Sequence, residues 1–133
     1  TVMPVLAITL TMTAAAAFVH IWHLYRCGSV RMKKGILHGD GGDTLMHRRM
    51  RAHSNFIENT PLFLMLLALV EYHTGAQTWL WIVGYAFIIG RILHSIGMDK
   101  DGDNFPRMAG VLLAALPILG LAGYTLYLAV VSP

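Results

Sequence analysis

Four stretches of this chain carry no Asp, Glu, Lys or Arg: residues 1–25, 59–70, 72–90 and 108–133. A helix needs about 20 predominantly apolar residues to cross the ~30 Å hydrocarbon core of a bilayer. The first, third and fourth stretches have that length or nearly so. The second has 12 residues and spans only if the polar residues ahead of it, from Arg48 onward, belong to the same helix. The reading is therefore all-α and integral to the membrane: one domain over 1–133, a bundle of four transmembrane helices at about 2–25, 44–72, 78–98 and 105–130. Composition agrees, with 13% charged residues against about 25% in ordinary soluble domains.

The net charge of +3 is not a nucleic-acid signal, because the cations are localised. Arg26, Arg31, Lys33, Lys34, Arg48, Arg49 and Arg51 lie between the first and second spans, and Lys100 and Arg107 between the third and fourth. Basic loops stay in the cytoplasm, so loops 26–54 and 99–106 are expected there and both termini outside. The first span lacks a basic leader and exceeds the apolar core of a signal peptide, so it reads as a retained helix. The lone Cys27 excludes an internal disulfide framework. It reads as a passive thiol, since no cysteine–histidine–acid pattern surrounds it.

On a helix at about 100° per residue, Arg48, Arg51, Asn55, Glu58 and Asn59 share an arc of roughly 100°, while Ile57 faces away. Polar groups at membrane depth face a bundle interior or a wet cavity and mark a site by default. Pro61 falls inside this helix and removes one backbone bond, to the Ile57 carbonyl. In the third helix Arg91 and His94 lie three apart on one face, with Glu58 as the expected partner of Arg91. Arg107 sits in the first turn of the fourth helix, where a cation opposes the helix dipole.

Other features read as scaffolding. The Ala14–Ala17 run and the Gly110/Ala114 pair suit close helix contact, and Trp79 and Trp81 suit an aromatic belt. His20 and His23 read as interfacial histidines, because haem or zinc needs ligands paired across helices or compactly spaced; no metal is expected. Gly39–Gly42 is no phosphate loop, since no Gly-Lys-Ser/Thr follows. It reads as a turn, with Asp43 or Thr44 capping the second helix. Asp99–Asn104 imitates a calcium loop but has Asn104 at the sixth position and Gly110 at the twelfth.

Together Arg31, Arg51, Asn55, Glu58, Arg91, His94 and Arg107 make an anion site with one negative anchor. Arginine forks bind carboxylates in pairs, Glu58 suits an ammonium group, and an arginine beside a thiol favours its thiolate. The same residues suit an inter-helix ion-pair network in which Arg51 or Arg91 bridges Glu58 and no ligand is held. A proton pathway through Glu58 and the histidines is a third, weaker option.

The string Arg51-Ala52-His53-x-Asn55-x-x-Glu58-x-x-Pro61, then Gly90-Arg91-x-x-His94 and Arg107, resembles the MAPEG family, the membrane-associated proteins in eicosanoid and glutathione metabolism. The short loops resemble its bacterial members most. The resemblance covers nearly the whole chain and implies a four-helix subunit assembled as a homotrimer, with glutathione as co-substrate between subunits and no haem. It implies that Arg51, Asn55, Glu58, Arg91 and His94, with Arg31 as a looser match, bind glutathione, and that Arg107 stabilises its thiolate. Two departures stand out. Met98 replaces the family's helix-three tyrosine, and Met108 and Val111 stand where a thiol-contacting Ser or Tyr follows the helix-four arginine. The expected protein is a bacterial inner-membrane glutathione transferase or peroxidase acting on hydrophobic small molecules from the lipid. The alternative is a lipid-binding or scaffolding trimer without turnover.

Overall fold

The computed structural model describes residues 5–132, and the described residues contain four helices and no strand. They are α1 (Ala7–Lys34), α2 (Thr44–Thr74), α3 (Thr78–Gly97) and α4 (Phe105–Val131). By length and composition α1, α3 and α4 are able to cross a membrane. α2 is one unbroken helix through Pro61, so its polar first half and its apolar second half belong to a single element. The polar stripe is thereby carried on the same rod as Leu62–Val70.

Helix boundaries follow capping chemistry. The Asp43 side chain accepts from the Met46 amide at 2.8 Å, and that of Asn104 accepts from the Arg107 amide at 3.0 Å, each satisfying a first-turn donor that has no partner within its helix. α3 ends at Gly97, one residue before the expected end. The first helix departs further from expectation. The charge-free run predicts a helix over about 2–25, but Val5 and Leu6 are not helical, Val2–Pro4 lie outside the described residues, and α1 runs on to Lys34. Arg26 marks where the charge-free run stops, yet arginine is a good helix former. The helix stops only where Gly35 turns left-handed, with φ 65°.

Between helices that share a bilayer the driving force is close packing rather than exclusion of water. α2 and α3 each touch all the other helices, whereas α1 and α4 do not meet among the described residues. Phe63 and Phe87 stack at 3.8 Å between ring centroids on the α2–α3 seam. The α3–α4 seam is closed by glycines: a Cβ on Gly110 would lie 2.5 Å from the His94 Cβ, and one on Gly90 2.5 Å from the Leu113 Cβ. The Ala14–Ala17 run behaves otherwise than expected. Only Ala16 is buried, Ala15 is half-buried, and Ala14 and Ala17 are exposed, so the run supplies little close contact and leaves a shallow wall.

Two polar clusters clamp opposite ends of the bundle. At one end the Glu71 carboxylate, 2% exposed, accepts from the Ile8 amide at 2.9 Å and from the Thr9 amide and hydroxyl, each at 2.8 Å. It thus caps the first turn of α1 from the last turn of α2, where α1 has no side-chain cap of its own among the described residues. At the other end Asp99 pairs with Arg26 and Arg49, and Arg48 bonds the Asp99 carbonyl and pairs with Asp101. The acidic α3–α4 loop is therefore engaged by arginines of α1 and α2. Arg26 also lies over the Trp22 ring, 4.7 Å from its centroid.

Candidate functional site

The centre of the site is Arg91, 2% exposed on α3. The close α3–α4 approach at Gly90 and Gly110 puts its guanidinium between α2 and α4. One terminal nitrogen donates to the Asn55 side-chain carbonyl, the other donates to the Gly110 carbonyl at 2.8 Å, and Nε has no partner among the described residues. No ion pair to Arg91 is present among the described residues; the expected Arg91–Glu58 pair is not made. Helical geometry gives the reason. Asn55 and Glu58 are three residues apart and so about 60° apart round the helix, and it is Asn55 that points at α3. Glu58 is exposed.

Arg91 borders a cavity of about 110 Å³ with Asn55, Asn59, Val111, Ala114 and Ala115. The Asn59 side-chain amide donates to the Asn55 carbonyl at 2.7 Å. One full charge and two side-chain amides therefore surround a small space whose other walls are apolar. A charge taken out of water needs an anionic partner or a dense set of acceptors, and one amide oxygen with one backbone carbonyl is a sparse set. His94, 5% exposed, packs beside Gly110 one turn along α3, and its Nδ1 also lacks a partner among the described residues.

The remaining expected residues are not drawn into that cluster. Arg51 and Glu58 continue the stripe onto the exposed surface of α2. Arg107 stands half-buried at the start of α4, with its backbone beside Gly97. Arg31 lies elsewhere, on the α1–α2 side. It donates to the Gly39 carbonyl at 2.8 Å and towards the Met50 sulfur at 3.8 Å, lining a second cavity of about 390 Å³ with Cys27, Met50, His53 and Ser54. The ion-pair network in which Arg51 or Arg91 bridges Glu58 is absent from the described residues.

Sequence reasoning passed over three features. Asn59 was placed on the stripe but given no role, although its position already pointed there. Glu71 closes a charge-free run and left no trace of its backbone partners. The histidines form a chain: His53 and His20 are 3.1 Å apart, and His23, 1% exposed, donates to the Val19 carbonyl at 2.9 Å and meets the Ser95 hydroxyl at 2.6 Å. His23 is thus a buried histidine with both ring nitrogens partnered.

Comparison with known proteins places this architecture. Over 69 residues the chain is 33% identical to the inner membrane protein YecN of Escherichia coli (strain K12), and identical to the same extent to that of Escherichia coli O6:H1 (strain CFT073). The match covers 51% of this chain and 52% of the relative, so it spans about half the length of either protein. The profile of the MAPEG family matches residues 9–127, which takes in all four helices. A membrane protein with a four-helix bundle of this kind, this chain belongs to the MAPEG family.

Proposed function

We propose that this protein is an inner-membrane glutathione-binding MAPEG protein, and that it conjugates or reduces hydrophobic electrophiles that reach it from the lipid. The observation that carries the reading is Arg91, a buried cation with no carboxylate partner among the described residues, facing a cavity lined by Asn55 and Asn59. A ligand carboxylate seated there would complete the coordination that the chain itself leaves open. Arg51 and Glu58, one cation and one anion on the neighbouring surface of α2, suit the second carboxylate and the ammonium of a zwitterionic peptide. Their exposure suits a site finished by a second subunit, and a homotrimer with glutathione between subunits supplies one. Arg31, remote from Arg91 within a chain, would then serve the site of a neighbour.

Arg107 would hold the thiolate, since a fixed cation lowers the thiol's proton affinity and is already in place as the sulfur attacks carbon. The cation-rich end holding Arg26, Arg31, Lys33, Lys34, Arg48 and Arg49 would face the cytoplasm, with the termini outside. A second reading, lipid binding or scaffolding without turnover, is favoured by Met98 and Met108 in place of hydroxyl-bearing side chains.

The test is thermal unfolding of the solubilised protein with glutathione and with ophthalmate, its thiol-free analogue. Both should stabilise by about 2.7 kcal/mol at a hundred times their dissociation constants. Arg107→Ala should keep the ophthalmate shift and lose conjugation of a nitroaryl chloride. No shift with either ligand would overturn the reading. A shift without turnover would select the second one.

A further inference from the structure

Between the Glu71 clamp at one end of the α1–α2 seam and the arginine clamp at the other, a pair of histidines ties the two helices. His53 Nε2 and His20 Nδ1 are 3.1 Å apart. Their outer nitrogens, Nδ1 of His53 and Nε2 of His20, have no partner among the described residues, and neither atom is sealed off. His53 borders the cavity of about 390 Å³ that also holds Arg31, Cys27 and Ser54.

A bond between two imidazoles needs one proton between two lone pairs. In the neutral pair one ring donates, the other accepts, and each carries a single N–H. One added proton keeps that bond, strengthens it by charge, and gives both outer nitrogens an N–H. Without His20, a charged His53 would leave its Nε2–H without an acceptor in the seam, which disfavours charging.

Arg31 opposes this charge while the cavity is empty. Its terminal nitrogens reach only the Gly39 carbonyl and the Met50 sulfur, so its charge is left unneutralised among the described residues. An anion beside it reverses the sign, attracting the proton that the bare guanidinium repels. The other titratable and charged groups around the pair are His23, Arg26 and Cys27 on α1 and Arg49 on α2. His23 stacks on His53, with ring centroids 5.2 Å apart, and has both nitrogens partnered. Arg26 and Arg49 pair with Asp99. α3 meets the cluster at Ser95. Arg91 belongs to the far side of α2, since its partner Asn55 lies about 200° round the helix from His53.

We propose that the His20–His53 pair makes ligand binding in the Arg31 cavity proton-coupled: an anion seated at Arg31 draws one proton onto the pair, which then presents the His53 Nδ1–H as a second donor. This rests on the glutathione reading above, in which Arg31 contributes to the peptide's site and the anion is one of its carboxylates. Binding then tightens as pH falls.

Calorimetric titration of the full chain in lipid nanodiscs with ophthalmate tests this, since that ligand has no thiol to ionise. Two buffers of different ionisation heat, MOPS and Tris, count the protons taken up at pH 7. Wild type should take up a proton, and its dissociation constant should fall by up to about tenfold per pH unit between pH 7.5 and 6. His53→Gln should still bind, with equal heats in both buffers. His20→Leu should lose most of the uptake, and His20→Gln, which returns an acceptor oxygen to the seam, should restore it. A merely structural pair would change stability in these variants and leave the proton count alone. Equal heats in wild type, or uptake unchanged in His53→Gln, would overturn the proposal while the glutathione reading stands. No binding of ophthalmate at all would overturn that reading and this inference with it.

Discussion

Glu71 and Arg91 are equally buried, both 2% exposed, and yet they are opposite cases. Glu71 is saturated: two backbone amides and a hydroxyl converge on its carboxylate, and a carboxylate that gathers such donors tolerates burial. Arg91 is unsaturated, with one amide oxygen, one backbone carbonyl and an idle Nε. A buried charge whose needs are met within the chain is an element of architecture. One whose needs are left open beside a cavity is, on the function proposed above, an element of recognition. Burial alone separates neither from the other; the tally of partners does.

The contrast can be broken experimentally. The largest effect is expected from Glu71→Ala, which strands three donors at the head of α1 and should lower unfolding stability by about 3 kcal/mol. Glu71→Gln, which keeps one acceptor oxygen, should lose less. Chemical unfolding in detergent measures both, and the glutathione-induced shift should survive in each. Arg91→Met should do the reverse. Without ligand its stability should stay within about 1 kcal/mol of wild type, because apolar replacement of a poorly paired buried charge is close to neutral. The shift of about 2.7 kcal/mol at a hundredfold excess over the dissociation constant should vanish. If Arg91→Met destabilises the free protein as much as Glu71→Ala does, the two residues are both architectural and the comparison fails.

The smallest effect comes from an ion pair at the surface. Lys34 bonds the Asp43 carboxylate at 2.5 Å. This contact first, and the Met46 amide second, hold the Asp43 carboxyl below its ordinary value of 3.8. A carboxyl depressed in the folded state contributes stability that is fully present above the ordinary value and is lost as pH falls through the lower, folded one. Protection of the Met46 amide should therefore decline only under strongly acidic conditions, and Lys34→Met should move that decline to higher pH. An unchanged midpoint in Lys34→Met would assign the depression to the Met46 amide alone.

Much of the fold could be read from residue order, because a bilayer imposes one rule on every helix that crosses it. Charge-free runs marked the spans, and Asp43 marked a helix start through a short-range bond that sequence spacing encodes. The end of α1 was missed because the membrane boundary at Arg26 was taken for the helix boundary, and these are set by different physics: solvation for one, backbone conformation at Gly35 for the other. In the site, periodicity assembled the stripe from Arg51 to Asn59 but could not say which member turns inward. Asn55 and Glu58 differ by about 60° round the helix, and only the packed structure shows that Asn55 is the one turned to Arg91. Glu71 was illegible for a simpler reason. Two of its three partners are backbone amides, which every residue but proline possesses.

The Glu71 contact also bears on how the chain is made. The first turn of α1 depends on an acceptor 63 residues further along the sequence. At roughly 5–20 residues per second the ribosome takes on the order of 3–13 s to add them. Until then the amides of Ile8 and Thr9 depend on water, as the first-turn amides of any helix do. The first turn of α1 is therefore completed by protein acceptors only once α2 has been made.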